Sequence, residues 1–334
     1  MTTAAHMEEA LSPMLLHLIL LPTEACNFRC TYCYEDFKLG RMGEDVVRGI
    51  EILLSRRVPK LRRLDLSWFG GEPLMARDIM LRILDHVARL RQEHPELQFN
   101  SDATTNGILL TPELLERFQS LGLTRFQISF DGPPRHHDRK RVKVGGAGTF
   151  DRIWANLLAI RDLDLACTIT IRLHVDQENA GSCPEFLRRF RREFGGDARF
   201  PLFLRLLSRW GGPNDATLPV YAAGDGEEAL ARLRSLAEEL EIPLHRSGSE
   251  DRICYAARGN SFLIRADGRV NKCTLALNAA ANQVGRLTGD GKLLIDAQRA
   301  GPWMRGLWTN SAEALECPKE GLVSPDPIGM VETR

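Results

Sequence analysis

Cys26, Cys30 and Cys33 stand at C-x3-C-x2-C spacing in the stretch Glu24-Ala25-Cys26-Asn27-Phe28-Arg29-Cys30-Thr31-Tyr32-Cys33-Tyr34. Three thiols in one short loop can wrap one corner of an iron–sulfur cube, whose irons take cysteine thiolates as their usual ligands. A [4Fe–4S] cluster has one more iron than this loop has thiols, so one iron stays open to a small molecule. An open iron is a reactive position, whereas a fully thiolate-capped cluster mainly carries electrons. A structural zinc site would need four N or S ligands, yet His6 and His17 both precede the loop and no fourth cysteine lies near it. A redox dithiol would use Cys30 and Cys33 and leave Cys26 without a role. Zinc and dithiol stand as the alternatives.

A second set, Cys254, Cys273 and Cys317, lies in the last third of the chain. Between the first two, Asp267-Gly268 separates short strand-like runs, which is a hairpin signal. The alternative is that these are ordinary buried thiols, since free cysteine packs as a small hydrophobe. Cys167 reads as strand core. Cys183 sits at a helix start, where a thiolate is favoured. Either could donate a hydrogen atom in an epimerisation.

The N-terminal loop followed by Gly70-Gly71-Glu72-Pro73 resembles the radical S-adenosylmethionine (SAM) superfamily. That resemblance implies that the methionyl amino and carboxylate groups of SAM chelate the open iron of a [4Fe–4S] cluster held by Cys26, Cys30 and Cys33. Reduction then cleaves a carbon–sulfur bond and releases a 5′-deoxyadenosyl radical, while the protein supplies position and exclusion of water. It implies an adenine contact at Tyr32 and backbone contacts to the SAM amino group from Gly70, Gly71 and Glu72. Glycine suits that task because the missing Cβ lets backbone approach a ligand. Arg172, in Thr170-Ile171-Arg172-Leu173-His174-Val175, matches the strand arginine that pairs with the SAM carboxylate, a job for a guanidinium fork. Asn106 and Ser129, in Thr105-Asn106-Gly107 and Ser129-Phe130-Asp131-Gly132-Pro133, match polar SAM contacts. Both motifs are equally turn formers. The hairpin flanked by Cys254 and Cys273 resembles the start of a SPASM or Twitch extension. The resemblance implies one auxiliary iron–sulfur cluster held by Cys254, Cys273 and Cys317.

The elements that must position these residues alternate. Strand-like runs occur at 15–22, 64–69, 97–103, 126–130, 167–175 and 200–207, with helical periodicities at 44–54, 76–91, 112–121, 150–162 and 184–194. Such βα units in series predict an α/β fold with a parallel sheet and its helices outside. Six units fall short of a closed eight-stranded barrel, and the resemblance implies a partial (β/α)6 TIM barrel with a small C-terminal α+β extension of SPASM/Twitch type. The cysteine loop follows the first run, Gly-Gly-Glu-Pro the second, Thr-Asn-Gly the third and Ser-Phe-Asp-Gly the fourth. Sites of such sheets sit at the carboxyl ends of strands. The expected division is 1–13 as an N-terminal tail, 14–210 as the partial barrel, 211–250 as a linker with a charged helix, and 251–334 as the extension.

Lys+Arg and Asp+Glu both number 44 in 334 residues, so no global field favours nucleic acid or an anionic membrane. The apolar run from Met14 to Leu21 is too short to span a bilayer, which needs about 20 apolar residues. Clustered cysteines in a chain this long fit metal binding in a reducing cytoplasm better than a disulfide scaffold. The leading expectation is a maturase of a ribosomally synthesised peptide that closes a side-chain carbon–carbon crosslink at an aromatic residue. Its partners would be a precursor peptide and an electron donor such as flavodoxin, ferredoxin or a chemical reductant. Peptide epimerisation, dehydrogenation of a small alcohol or of a sulfatase serine or cysteine, and a non-catalytic peptide- or metal-binding role are the rivals. No single residue is legible as the general base.

Overall fold

Leu16, Leu18 and Leu20 point one way along the first strand and His17 and Ile19 the other, because successive strand side chains alternate between faces. The computed structural model describes residues 4–222, 224–245 and 253–322. It places that strand, β1 (Leu15–Leu20), beside β3 (Arg63–Trp68), β4 (Gln98–Thr105), β5 (Arg125–Phe130), β7 (Thr168–Val175) and β8 (Leu202–Leu206), all parallel. Helices Glu44–Arg57, Arg77–Glu93, Pro112–Ser120, Phe150–Arg161 and Cys183–Phe194 connect them. The expected α/β series is therefore present, each element within a few residues of its sequence signal.

One core joins the sheet's outer face to these helices. Leu64, Leu66 and Trp68 of β3, Phe126, Ile128 and Phe130 of β5, and Ile169, Ile171, Leu173 and Val175 of β7 are buried in it. Most alternate residues of the same strands face inward and are polar, among them His17, Asp65, Ser67, Asn100, Asp102, Thr104, Gln127, Ser129, Arg172 and Arg205, with Ile19 and Phe203 as apolar exceptions. A polar inner face cannot close on itself as a dry core. It lines a cavity instead.

A short antiparallel ribbon of β2 (Phe28–Cys30) and β6 (Arg141–Lys143) lies outside the main sheet and pairs Cys30 with Arg141. The C-terminal third does not stand apart from the sheet. Strand β9 (Ser261–Ile264) pairs parallel to the free edge of β1, and β10 (Arg269–Asn271), β11 (Gln283–Leu287) and β12 (Leu293–Ile295) follow antiparallel. The result is one ten-stranded sheet in the order β12-β11-β10-β9-β1-β3-β4-β5-β7-β8. The hairpin signalled by Asp267-Gly268 is the β9–β10 turn, with Gly268 at a φ of 82°. Residues 4–11 of the expected tail form a helix, whose Ala10 packs with Ile253, Ala257, Leu307 and Leu315. The expected boundary at 250/251 lies outside the described residues, as do residues 1–3 and the end of the chain from 323. Among the described residues no helix is long and apolar enough to cross a membrane.

Two buried polar links hold the extension to β1. Arg265 Nε and Nη2 donate to the two carboxylate oxygens of Glu24 at 3.0 and 2.5 Å, both side chains being at most 3 % exposed. Arg265 Nη1 also donates to the Leu277 carbonyl at 2.8 Å, which keeps the fork fixed. On the inner face, His17 bridges Ser261 of β9 through Nδ1 and Ser67 of β3 through Nε2, both at 3.0 Å.

Removing one member of a buried pair strands the other charge. Arg265→Met should cost about 3–5 kcal/mol, read as a lower urea midpoint, and the double variant Glu24→Gln/Arg265→Met should recover most of the loss. Burial pushes His17 down to about 4. The unfolded chain therefore takes up its proton first as pH falls below the ordinary histidine value. This residue's share of stability is whole above about pH 6.5 and drains toward pH 4, with a limiting slope of about 1.4 kcal/mol per unit. Between pH 7 and pH 5.5 the parent protein should lose about 1 kcal/mol more than His17→Gln, measured by urea unfolding at both values.

Candidate active site

Parallel strands carry their carboxyl ends to one rim, and the loops leaving that rim build a cavity of about 650 Å³. Cys26, Cys30 and Cys33 reach it from the loop after β1, Gly70 and Gly71 from the loop after β3, and Asn106 from the end of β4. Ser129 reaches it from β5, and Arg172 and His174 from β7. Cys254, Cys273 and Cys317 line the same cavity, so the two cysteine sets share one chamber. Apolar side chains, among them Phe69, Phe203, Leu207, Trp210 and Tyr255, make up much of its wall.

The cysteine loop is held by its own backbone. Phe28 is buried as its anchor, and its N–H donates to Cys26 Sγ at 3.3 Å. In the second set the Leu275 N–H donates to Cys273 Sγ at 3.4 Å. The amide two residues on likewise favours the thiolate at Cys33 and at Cys254. Both sets therefore use the same local turn to present sulfur with a donor already aimed at it. Burial nevertheless pushes the Cys26 and Cys33 thiols up to about 12 and Cys254 to about 11. Thiols so buried stay protonated at neutral pH unless a cationic group replaces the proton.

Within each set the other thiols add to burial at one member: Cys30 and Cys33 raise Cys26 further, as Cys273 and Cys317 raise Cys254. A backbone bond from Cys254 N–H to the Leu315 carbonyl at 2.7 Å brings the strand-side and C-terminal cysteines together. Among the described residues no three His, Cys, Asp or Glu side chains converge on a single ion. A cubane takes one thiolate per iron and asks for sulfurs spread around a cage. Shared lining of one cavity and sulfur-directed amides make each set a fit for such a group.

Tyr32 is the most heavily tethered of the expected residues. Its hydroxyl donates to Asp131 Oδ2 at 2.8 Å and accepts from Arg141 Nη1 at 2.7 Å, with His174 Nδ1 at 3.2 Å. The His174 ring meets the Tyr32 ring edge-on at 5.3 Å. Burial alone would raise Asp131, but His174 and Arg141 outweigh it and hold the carboxyl down to about 2. His174, buried beside Arg172, is pushed down to about 4 and stays neutral. Arg172 Nε is buried with no hydrogen-bond partner among the described residues.

One expectation needs correction and another gains a detail. The Glu72 side chain does not line the cavity. It is fully buried, and its carboxylate accepts from Leu74 N–H at 3.0 Å, Thr105 Oγ1 at 2.6 Å and Asn106 N–H at 2.7 Å. With three converging donors the carboxylate braces the loop after β3 against the end of β4, a side-chain role separate from the backbone contact expected of this residue. Cys167 and Cys183 do not reach the site either. Cys167 precedes β7 at the strand's amino end, away from the rim, and Cys183 is wholly buried with its thiol directed at Asn179 Oδ1, 3.8 Å away. Neither is placed to donate hydrogen to a substrate in the cavity.

Sequence reasoning missed Arg141, Asp131, His174, Glu35, Phe203, Arg205 and Trp210. Asp131 and His174 lay inside quoted motifs without an assigned role. Arg141 carried no signal, since only the pairing of β2 with β6 brings it beside Cys30. Glu35 accepts the Gly71 N–H at 2.8 Å and so orients the glycine segment. The loop after β8 covers the cysteines: Asn214 Nδ2 donates to the Thr31 carbonyl at 2.8 Å, and a Cβ at Gly212 would lie 2.7 Å from the Cys33 carbonyl oxygen.

A Radical SAM superfamily model matches residues 20–189. Among curated proteins, a GTP 3′,8-cyclase of Paenarthrobacter nicotinovorans is 35% identical over 138 residues, 40% of this chain and 36% of that protein. A PqqA peptide cyclase of Granulibacter bethesdensis is 25% identical over 220 residues, 64% of this chain and 55% of that protein. The chain thus spans about half or less of the length of the curated relatives it matches. Among solved structures, anSMEcpe with bound AdoMet and Cp18Cys peptide superposes at a TM-score of 0.64 and 17% identity, covering 86% of this chain and 80% of that one. Streptococcus suis SuiB bound to precursor peptide SuiA gives 0.62 at 14% identity, covering 91% and 69%. At these identities the two structures establish a shared fold.

A Cβ on Gly71 would lie 2.2 Å from the Ala25 carbonyl oxygen, backbone against backbone. Gly71→Ala should therefore displace the cysteine loop and lower iron bound per chain after anaerobic reconstitution by about half or more, counted by iron and sulfide analysis.

Proposed function

We propose, from the premise that the chain belongs to the radical SAM superfamily, that it modifies a ribosomally synthesised peptide by forming a side-chain carbon–carbon crosslink at an aromatic residue. The family implies a [4Fe–4S] cluster and SAM. The observation that carries the finer reading is the single chamber lined by both cysteine sets and by the SAM-contact candidates. A relative that is a PqqA peptide cyclase, and fold neighbours solved with Cp18Cys and SuiA peptides, support a peptide substrate.

Cys26, Cys30 and Cys33 would hold the SAM-binding cluster, and Cys254, Cys273 and Cys317 an auxiliary cluster. When bound, these groups and SAM supply a primary carbon radical that removes a hydrogen atom and an acceptor for the electron left after ring closure. Residues 14–210 make up the catalytic part, 251–334 the auxiliary part, and 211–250 connect them.

The chain's own residues do the positioning. Arg172, inward on β7 with an unmatched buried Nε, offers its fork to the methionyl carboxylate. Gly70 and Gly71, with Glu35 fixing the Gly71 amide, hold backbone carbonyls where an ammonium can be met. The Tyr32 ring, pinned through its hydroxyl, gives the adenine a surface that cannot swing away. Asn106 donates to Asn27 Oδ1 at 2.8 Å and ties the β4 loop to the cysteine loop while facing the cavity with Ser129. Phe69, Phe203, Leu207, Trp210 and Tyr255 exclude water from a reaction that water and stray hydrogen donors would divert.

The decisive assay incubates reduced, reconstituted protein with SAM and the peptide encoded beside its gene, followed by mass spectrometry and NMR. Crosslinking predicts loss of two hydrogens with a new ring bond, and 5′-deoxyadenosine in step with product. Loss of two hydrogens without a ring would assign dehydrogenation, and unchanged mass with inverted stereochemistry would assign epimerisation. The Cys254→Ala/Cys273→Ala variant should fall from about eight irons per chain to about four, and a triple alanine variant of the first set should produce no 5′-deoxyadenosine.

A further inference from the structure

Two guanidinium groups face the chamber from neighbouring strands. Arg172 lies on β7 and Arg205 on β8, where Arg172 registers with Phe203 and His174 with Arg205. Both line the cavity. The Phe203 ring lies 6.0 Å from the Arg172 guanidinium carbon, and the Arg205 charge adds to burial in disfavouring the cationic form of Arg172. Among the described residues no ion pair joins either arginine to a carboxylate, although Glu35, Glu316 and Glu320 line the same cavity. Two other buried arginines do have such partners: Arg141 donates to the Tyr32 hydroxyl that bridges to Asp131, and Arg265 grips Glu24. Arg172 carries a buried Nε with no partner among the described residues, and Arg205 stands exposed at the cavity beside it, so both forks are open to an incoming carboxylate. SAM carries one carboxylate, which the reading above gives to Arg172. One cation remains.

We infer that Arg205 is a substrate-binding residue that receives a carboxylate of the peptide, so that the modified segment carries an Asp or Glu side chain or the peptide's own C-terminus beside the reacting residue. The inference rests on SAM occupying Arg172. Leu206, Leu207 and Trp210 follow Arg205 along the same wall. They offer an apolar surface for a neighbouring aliphatic or aromatic side chain, so the site as a whole selects an acidic group next to an apolar one. Arg205 is itself exposed at the cavity and holds nothing else in place, which makes it a specificity residue and not a strut.

The test is anaerobic calorimetry on cluster-loaded, SAM-saturated protein with a matched pair of probes. These are N-acetyl-glutamyl-phenylalanine amide and its glutaminyl counterpart, which differ only in the carboxylate. The parent protein should bind the acid about tenfold more tightly than the amide. Arg205→Gln should bring the ratio to about one and Arg205→Lys should keep part of it, while SAM affinity stays within about threefold in both. An acid preference that survives Arg205→Gln, or that is absent from the parent protein, overturns the inference and leaves the SAM site standing. A tenfold loss of SAM affinity in Arg205→Gln would assign the residue to the cosubstrate and overturn it too. Failure of the parent protein to bind SAM removes the proposed function, and this inference with it.

Discussion

The bidentate pair between Glu24 and Arg265 is the contact on which the geometry of the site depends. Glu24 lies two residues before the first cysteine of the N-terminal loop, and Arg265 follows β9 at the start of the turn leading to Cys273. A buried ion pair gains little net stability over a good apolar contact, but it tolerates few alternative arrangements once both charges are out of water. Here it fixes one cysteine set against the other. The parallel pairing of β1 with both β3 and β9 gives the backbone version of that constraint, since the cysteine loop leaves a strand gripped on each edge. The extension thus completes the sheet in which the first loop is rooted.

Inside the sheet, polarity is distributed by function. The outer face of each parallel strand is aliphatic or aromatic and packs under helices, as burial requires. The inner face carries histidine, aspartate, asparagine and arginine toward the concave side. Lower on that face the polar groups satisfy one another, as in the run from Ser261 through His17 and Ser67 to Asp102, each step close to 3 Å. At the rim, Tyr32, Asp131, Arg141 and His174 are still tied to one another, but Arg172, which faces the cavity, is left with an unmatched nitrogen that an incoming anion would satisfy.

The charge distribution follows the same logic. The chain balances 44 basic against 44 acidic residues, and the chamber brings Arg141, Arg172, Arg205 and Lys319 together with Glu35, Glu316 and Glu320 around the six cysteines. Arg141 favours the thiolate of Cys30. Neutral His174 and low-lying Asp131 keep the Tyr32 hydroxyl fixed without adding a mobile proton to the chamber. A balanced average composition conceals arginines gathered beside the cysteines.

Much of this was legible in the residues themselves. The cysteine spacing, the glycine pair, the polar ends of successive strands and the βα alternation are local patterns, because thiol reach, glycine's freedom and side-chain periodicity act over a few residues. Those patterns determined the element order, the rim and the core of the candidate site. Tertiary structure decided what depends on distant segments meeting. It gave the Glu72 side chain a bracing role by aiming three donors at it. It withdrew Cys167 and Cys183 from the chamber by strand direction and burial, and brought Arg141 to Cys30 across more than a hundred residues of chain. It also joined the second cysteine set to the first through a strand pairing that no periodicity announces. Hydrogen bonds and ion pairs between remote residues depend on ångström-scale placement, and only the folded chain fixes that.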